Sequence, residues 1–155
     1  MSDSVATTST LASPVKVLIV DDHTGFRRAV TAMIDATEGF VVVGSVSSGS
    51  DALDALASST IDLALVDVHM APIDGIDVAR RHAATDDTAA IVLMSTSALD
   101  ELADGARGPA VAGFIPKESL SAVDLERVWS SWKATHRRQA DASTPRVRND
   151  HNAPS

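Results

Sequence analysis

Three carboxylates in this chain end apolar runs of the kind that form buried strands. Asp21 and Asp22 end the run VKVLIVDD, and Asp67 lies near the end of the run IDLALVDVHM. A continuous apolar run that stops at a turn is typical of a strand in a parallel sheet. Ligands of open α/β sheets bind beyond the carboxyl ends of the strands. We therefore expect the three acids to meet at one edge of a sheet.

Two further strand ends supply a hydroxyl and an ammonium group to the same edge. Ser95 follows the run IVLM, and Lys117 follows the segment GFIP. Close carboxylates repel one another, so one becomes protonated unless a cation lies among them. Oxygen ligands with room for water suit Mg²⁺. A carboxylate can attack phosphorus, and the cation, the ammonium group and the hydroxyl could then stabilise the phosphoryl oxygens of an aspartyl phosphate.

Apolar runs and the helical repeats between them predict the scaffold that positions these groups. The strands are predicted at 15–20, 40–46, 61–68, 91–94 and 111–115. Five helices are indicated by apolar residues at helical spacing: Phe26, Val30, Met33 and Ile34; Leu53, Leu56 and Ala57; Ile76, Val78 and Ala79; Leu99, Leu102 and Ala103; and Leu125, Val128, Trp129 and Trp132. Alternating strands and helices predict an α/β fold, a doubly wound parallel sheet with right-handed crossovers. The flavodoxin-like order 2-1-3-4-5 is the better-known five-stranded solution.

Composition bounds the domain organisation and the partners. The 155 residues suit one domain, which we place at 15–133, between a disordered leader at 1–14 and a disordered tail at 134–155. The net charge of -8 argues against direct DNA binding and against an anionic membrane surface. The sequence has no cysteine, no apolar stretch long enough to span a membrane and no secretory signal, which indicates a cytoplasmic protein without thiolate chemistry.

Four motifs taken together resemble the receiver domain of two-component response regulators. They are VLIVDDH, LALVDVHMAPIDG, IVLMSTS and GFIPKES, and they occur in the family's order and at close to its spacing between Val15 and Lys133. The resemblance implies that a histidine kinase or a phosphotransfer protein donates a phosphoryl group to Asp67. It also implies a signalling domain that is not an enzyme beyond its own phosphorylation and dephosphorylation.

The resemblance implies a set of ligands for Mg²⁺ at the acidic edge. Asp22 would bind the ion directly, with Asp21 beside it mostly through water. Asp67 and the backbone carbonyl of His69 would be the remaining protein ligands.

The resemblance also implies a switch. Lys117 would pair with a phosphoryl oxygen, Ser95 would move toward the phosphoryl group, and Phe114 would rotate inward. These shifts would change the face formed by the predicted fourth helix, the fifth strand and the last helix, and that face would bind a downstream protein or form a homodimer. Too few residues follow Trp132 for a DNA-binding module, so we expect protein contacts unless the chain is cut from a longer regulator.

Three alternative hypotheses stay open at this point. A phosphorylation-independent pseudo-receiver is favoured by Ala71, which takes the place of the family's proline with Pro72 one position later, and by Glu118 beside Lys117. An Mg²⁺-dependent phosphatase with an aspartate nucleophile would need Asp-x-Asp at the first strand. A flavodoxin-like cofactor binder would need a P-loop or an aromatic loop. No ligand spacing is found for His23, His82, His136 and His151, and they are assigned no role.

Overall fold

The computed structural model describes residues 13–85, 88–96 and 108–143, without the side chains beyond 136. Its strands are β1 (Val15–Val20), β2 (Phe40–Val46), β3 (Leu63–Asp67), β4 (Ala90–Ser95) and β5 (Val111–Pro116). Its helices are α1 (Thr24–Asp35), α2 (Gly49–Ser58), α3 (Gly75–Ala83) and the C-terminal helix α4 (Ala122–Ser143), with a 3₁₀ helix at Lys117–Ser119. The helix predicted around Leu99 and Ala103 lies outside the described residues.

All neighbouring strands pair in parallel, and their order in the sheet is β2-β1-β3-β4-β5. The predicted α/β class and strand order are therefore confirmed. Every residue of β3 and β4 is buried, because helices cover both faces of the sheet. One face packs against α2 and α3, and the other packs against α1 and α4.

Two helices that flank the site begin at side-chain caps. The Ser48 hydroxyl accepts a hydrogen bond from the Asp51 N–H at 3.1 Å at the start of α2. The Asp74 carboxylate accepts one from the Asp77 N–H at 2.8 Å at the start of α3. These bonds satisfy amide groups that have no partner within the first turn of a helix. They fix where each helix starts after its strand.

The C-terminal helix continues to Ser143, so the predicted tail boundary at 134 is wrong for residues 134–143. No glycine or proline interrupts the chain between Pro116 and Pro145, so nothing in the backbone chemistry ends the helix at 133. The His136 ring stacks on Trp132 with 3.6 Å between ring centroids. Residues 1–12 and 144–155 lie outside the described residues. No helix in the described ranges has both the length and the apolarity needed to cross a membrane.

Candidate functional site

The register of the two central strands brings two acids together. β1 and β3 pair with Val20 opposite Val66, so the next step of the ladder sets Asp21 beside Asp67. Asp21 is 0% exposed and Asp67 is 2% exposed, whereas Asp22 is exposed. Adjacent parallel strands are about 4.8 Å apart, so two buried carboxylates at matching strand ends are close neighbours. The predicted meeting of the acids at one edge thus has a simple geometric cause.

Lys117 reaches the two buried acids from the end of β5. Its Nζ lies 2.6 Å from Asp21 Oδ2 and 3.6 Å from Asp67 Oδ2. Within the described residues, Asp21 Oδ2 has no hydrogen-bond partner of good geometry, so this ion pair compensates its burial. Lys117 Nζ also lies 4.4 Å from the centroid of the Phe26 ring, within cation–π range. Phe26 therefore helps to position the ammonium group, a role that its place in an apolar helical repeat did not indicate.

The surroundings of Asp67 disfavour its charged form. Burial raises the pKa of the Asp67 carboxyl above its ordinary value. The His69 backbone N–H donates to Asp67 Oδ1 at 3.1 Å and lowers the pKa, as does Lys117, while the charges of Asp21 and Asp22 raise it. Three carboxylates face one lysine here. The excess negative charge makes this edge favourable for a divalent cation.

A histidine joins the acidic cluster. Asp21, Asp22, His23 and Asp67 each offer one ligand atom, and these atoms lie within 4.8 Å of one another. His23 Nδ1 lies 3.0 Å from Asp21 Oδ1 and 3.0 Å from Asp22 Oδ1. Carboxylate oxygens are the ligands that Mg²⁺ prefers, so the donor set fits that ion. The sequence pattern assigns His23 no role, although its place directly after the two acids is a signal for one.

Two glycines hold the segment around Asp67 against its neighbours. A Cβ on Gly75 would press on the Asp67 carbonyl oxygen and lie 2.9 Å from Val68 Cα. A Cβ on Gly49 would lie 2.6 Å from the Ile73 carbonyl oxygen. Only glycine allows backbone to approach backbone this closely. Both positions therefore help to set the path of the chain that carries Asp67.

Arg27 ties the end of β1 to its neighbour in the sheet. Its Nη1 donates to the Asp21 carbonyl oxygen at 2.7 Å, and its Nε donates to Ser45 Oγ at 3.0 Å. The first bond holds the main chain from which the acidic pair projects. Nothing in the local sequence distinguishes Arg27 from the exposed Arg28 beside it, so only the fold reveals this role.

The predicted switch residues lie on one face of the sheet. Ser95 is buried at the end of β4 and pairs with Pro116, while Leu93 pairs with Phe114. Side chains two residues apart on a strand share a face, so Ser95 lies on the face of Leu93. Phe114 is partly buried against the apolar core on that face. Ser95 and Phe114 are thus diagonal neighbours across adjacent strands.

Fold and site together define a five-stranded parallel α/β domain with an acidic, lysine-bearing pocket at the carboxyl edge of its sheet. The family model for the response regulator receiver domain matches residues 17–127. The chain belongs to the receiver domain family of two-component response regulators.

Curated relatives are longer than this chain. It is 30% identical over 116 residues to protein-glutamate methylesterase/protein-glutamine glutaminase 5 of Myxococcus xanthus, a match that covers 74% of this chain and 33% of that protein. It is 29% identical over 114 residues to the response regulator UvrY of Escherichia coli, covering 70% of this chain and 52% of that protein. The chain therefore spans between a third and about half of the length of these relatives.

Solved structures support the same fold. The signal receiver domain of a NarL response regulator from Mycobacterium tuberculosis is similar with a TM-score of 0.72 and 27% identity, covering 79% of this chain and 98% of that domain. A response regulator receiver protein from Pseudomonas putida has a TM-score of 0.66 and 25% identity, covering 76% of this chain and 97% of that protein.

Proposed function

We propose that this receiver domain accepts a phosphoryl group on Asp67 from a histidine kinase or a phosphotransfer protein, with Mg²⁺ bound. Receiver domains generally bind Mg²⁺ at an acidic pocket and interact with such donors. The observation that carries the proposal is the position of Asp67, which lies in the acidic cluster at the carboxyl edge, 3.6 Å from Lys117 Nζ. A carboxylate in that setting has a cationic partner ready for the group it would receive.

The proposed transfer is a substitution at phosphorus. An Asp67 carboxylate oxygen forms a bond to phosphorus while the bond from phosphorus to the donor's imidazole nitrogen breaks, and the imidazole takes up a proton as it leaves. Mg²⁺ held by Asp22, Asp21, Asp67 and the His69 carbonyl would supply positive charge for the phosphoryl oxygens. Lys117 is close enough to Asp67 to pair with one of those oxygens.

The phosphoryl group would act on the rest of the domain through Ser95 and Phe114. The Ser95 hydroxyl would move to donate to a phosphoryl oxygen, and Phe114 would fill the space behind it. Both residues lie on the same sheet face, which supports a coupled shift. We propose that a face formed by β5, the C-terminal helix α4 and the helix predicted around Leu99 and Ala103 then binds a downstream protein or a second copy of the chain. The net charge of -8 favours protein partners over direct contact with DNA.

Two observations favour phosphorylation over a pseudo-receiver. Lys117 is directed to the two buried acids, and Glu118 is exposed, so the neighbouring acid does not hold the ammonium group away. The loop after Asp67, with its proline at position 72, leads into α3, whose first turn is capped by Asp74. The displaced proline thus leaves the acidic edge assembled.

The test is intact-mass measurement after incubation with Mg²⁺ and acetyl phosphate. We expect one added phosphoryl group, lost in Asp67→Asn and retained in Asp54→Asn, which changes an exposed acid on α2. Chelation of Mg²⁺ should prevent the addition. A folded, Mg²⁺-supplied protein that gains no phosphoryl group would contradict the proposal and favour the pseudo-receiver. Sustained turnover of a phosphate ester would favour the phosphatase.

A further inference from the structure

The His23 imidazole lies against the two acids that follow β1. Its Nδ1 is 3.0 Å from one carboxylate oxygen of Asp21 and 3.0 Å from one of Asp22. Its side chain is 69% exposed, so solvent reaches the other edge of the ring. At the start of α1, the His23 side chain makes no capping hydrogen bond. The position of the imidazole is therefore not explained by helix capping.

The separation of the His23 nitrogen from each of the two carboxylate oxygens matches one edge of an octahedral site. Ligands at the bond length of about 2.1 Å that small divalent cations require, set at right angles, lie about 3.0 Å apart. Both nitrogen-to-oxygen separations at His23 have this value. Asp21 supplies one of the oxygens from a fully buried side chain, which holds that side of the site in place.

We infer that His23 is a nitrogen ligand of the cation site and that it biases the site toward first-row transition metals over Mg²⁺. The inference rests on the proposed function, since it concerns the same cation. Mg²⁺ prefers oxygen ligands, whereas Mn²⁺, Co²⁺ and Ni²⁺ accept imidazole nitrogen and are bound more tightly when it is offered. With His23 in the set, the site offers one nitrogen beside its carboxylate oxygens.

The alternative is that His23 only donates an N–H from Nδ1 to the two carboxylates and orients them. Such a donor would raise the affinity for every divalent cation in similar proportion, because it orients the carboxylates and adds no bond to the metal. The ratio of affinities for a transition metal and for Mg²⁺ separates the two roles. Direct detection of a bound nitrogen separates them independently.

The test measures Mg²⁺ and Co²⁺ binding by titration calorimetry for the full chain and three variants. In His23→Gln we expect the preference for Co²⁺ over Mg²⁺ to fall, because a nitrogen ligand that favours Co²⁺ is replaced by an amide oxygen. His136→Gln, which alters a histidine on α4, should keep the preference of the unmodified chain. Asp22→Asn should weaken both ions. Electron spin-echo measurements on the Mn²⁺-loaded unmodified chain should show coupling to an imidazole nitrogen, a result that needs no variant to fold.

The possible failures are distinct. An unchanged Co²⁺ to Mg²⁺ preference in His23→Gln, or no imidazole coupling in the Mn²⁺ complex, would overturn the role of His23 and leave the phosphoacceptor proposal intact. If Asp22→Asn instead binds both ions as tightly as the unmodified chain, the cation site on which both proposals depend is contradicted.

Discussion

Replacing Gly75 by alanine is the sharpest test of how the phosphoacceptor segment is held. The added Cβ would press on the Asp67 carbonyl oxygen and lie 2.9 Å from Val68 Cα. Both neighbours are backbone atoms, so no side-chain rotation can make room. Either α3 must move away from β3 or the main chain of Asp67 must shift.

The expected cost follows from two opposing contributions. Overpacking of this kind destabilises by about 1–3 kcal/mol. Alanine in place of glycine in a helix stabilises by about 0.5–1 kcal/mol, because the unfolded chain loses conformational freedom. We therefore expect Gly75→Ala to lower the free energy of unfolding by about 1–2 kcal/mol, which leaves a domain of ordinary stability folded.

Gly25→Ala is the matched control. Gly25 also lies in the first turn of a helix, but a Cβ there would meet no heavy atom within 4 Å. We expect this variant to gain about 0.5–1 kcal/mol. Urea unfolding of both variants and the unmodified chain measures the difference, and acetyl phosphate labelling shows whether Asp67 still reacts. Slower labelling of Gly75→Ala at full folding would indicate that Asp67 itself has shifted.

Gly75→Ala could instead be as stable as Gly25→Ala and be labelled at the same rate as the unmodified chain. That result would mean that the β3–α3 connection yields freely, and that close backbone contact does not hold Asp67 in place.

Three further perturbations test the electrostatics and the anchoring of the site. Burial raises the pKa of Asp67 in the folded state, so the ionised carboxylate destabilises the fold above that pKa. This destabilisation disappears as the pH falls from the folded-state pKa toward the pKa of the unfolded chain. Without divalent cations, Asp67→Asn should therefore raise the melting temperature at pH 7 and lose that gain in acid. Phe26→Leu keeps an apolar side chain but removes the ring beneath the Lys117 ammonium group, so we expect a loss of about 1 kcal/mol in urea unfolding and slower labelling by acetyl phosphate; equal rates would contradict the positioning role. Arg27→Met removes the bond to the carbonyl at the end of β1 and should cost about 1 kcal/mol, whereas Arg28→Met on the exposed side should be neutral in the same unfolding assay.

Much of the scaffold could be predicted because its signal is local. The bounds of β1 and β2 agree with the apolar runs at 15–20 and 40–46. A strand buried on both faces must be apolar throughout, and the carboxyl end of a parallel strand is where polar groups appear. Asp67, Ser95 and Lys117 could be selected on that basis, since each directly ends or follows such a run.

The end of the domain was harder to place, because helix propensity and tail composition overlap. Polar residues after Trp132 suggested disorder, yet the chain continues as a helix to Ser143. A polar stretch without glycine or proline is compatible with both states. The stacking of His136 on Trp132, four residues away on the same helix, is a local side-chain contact that polarity alone does not indicate.

The sequence by itself determined the α/β class, the order of polar groups along the strand ends and the membership of Asp21, Asp22, Asp67 and Lys117 in one acidic edge. Only the tertiary structure decided which residues support them. Phe26 contacts Lys117, Arg27 holds the end of β1, and Gly75 packs on Asp67, through contacts between elements far apart in the chain or across a turn. The local pattern of apolar residues marks where each strand ends. Contacts between side chains depend on register, helix phase and packing, which short-range patterns do not encode.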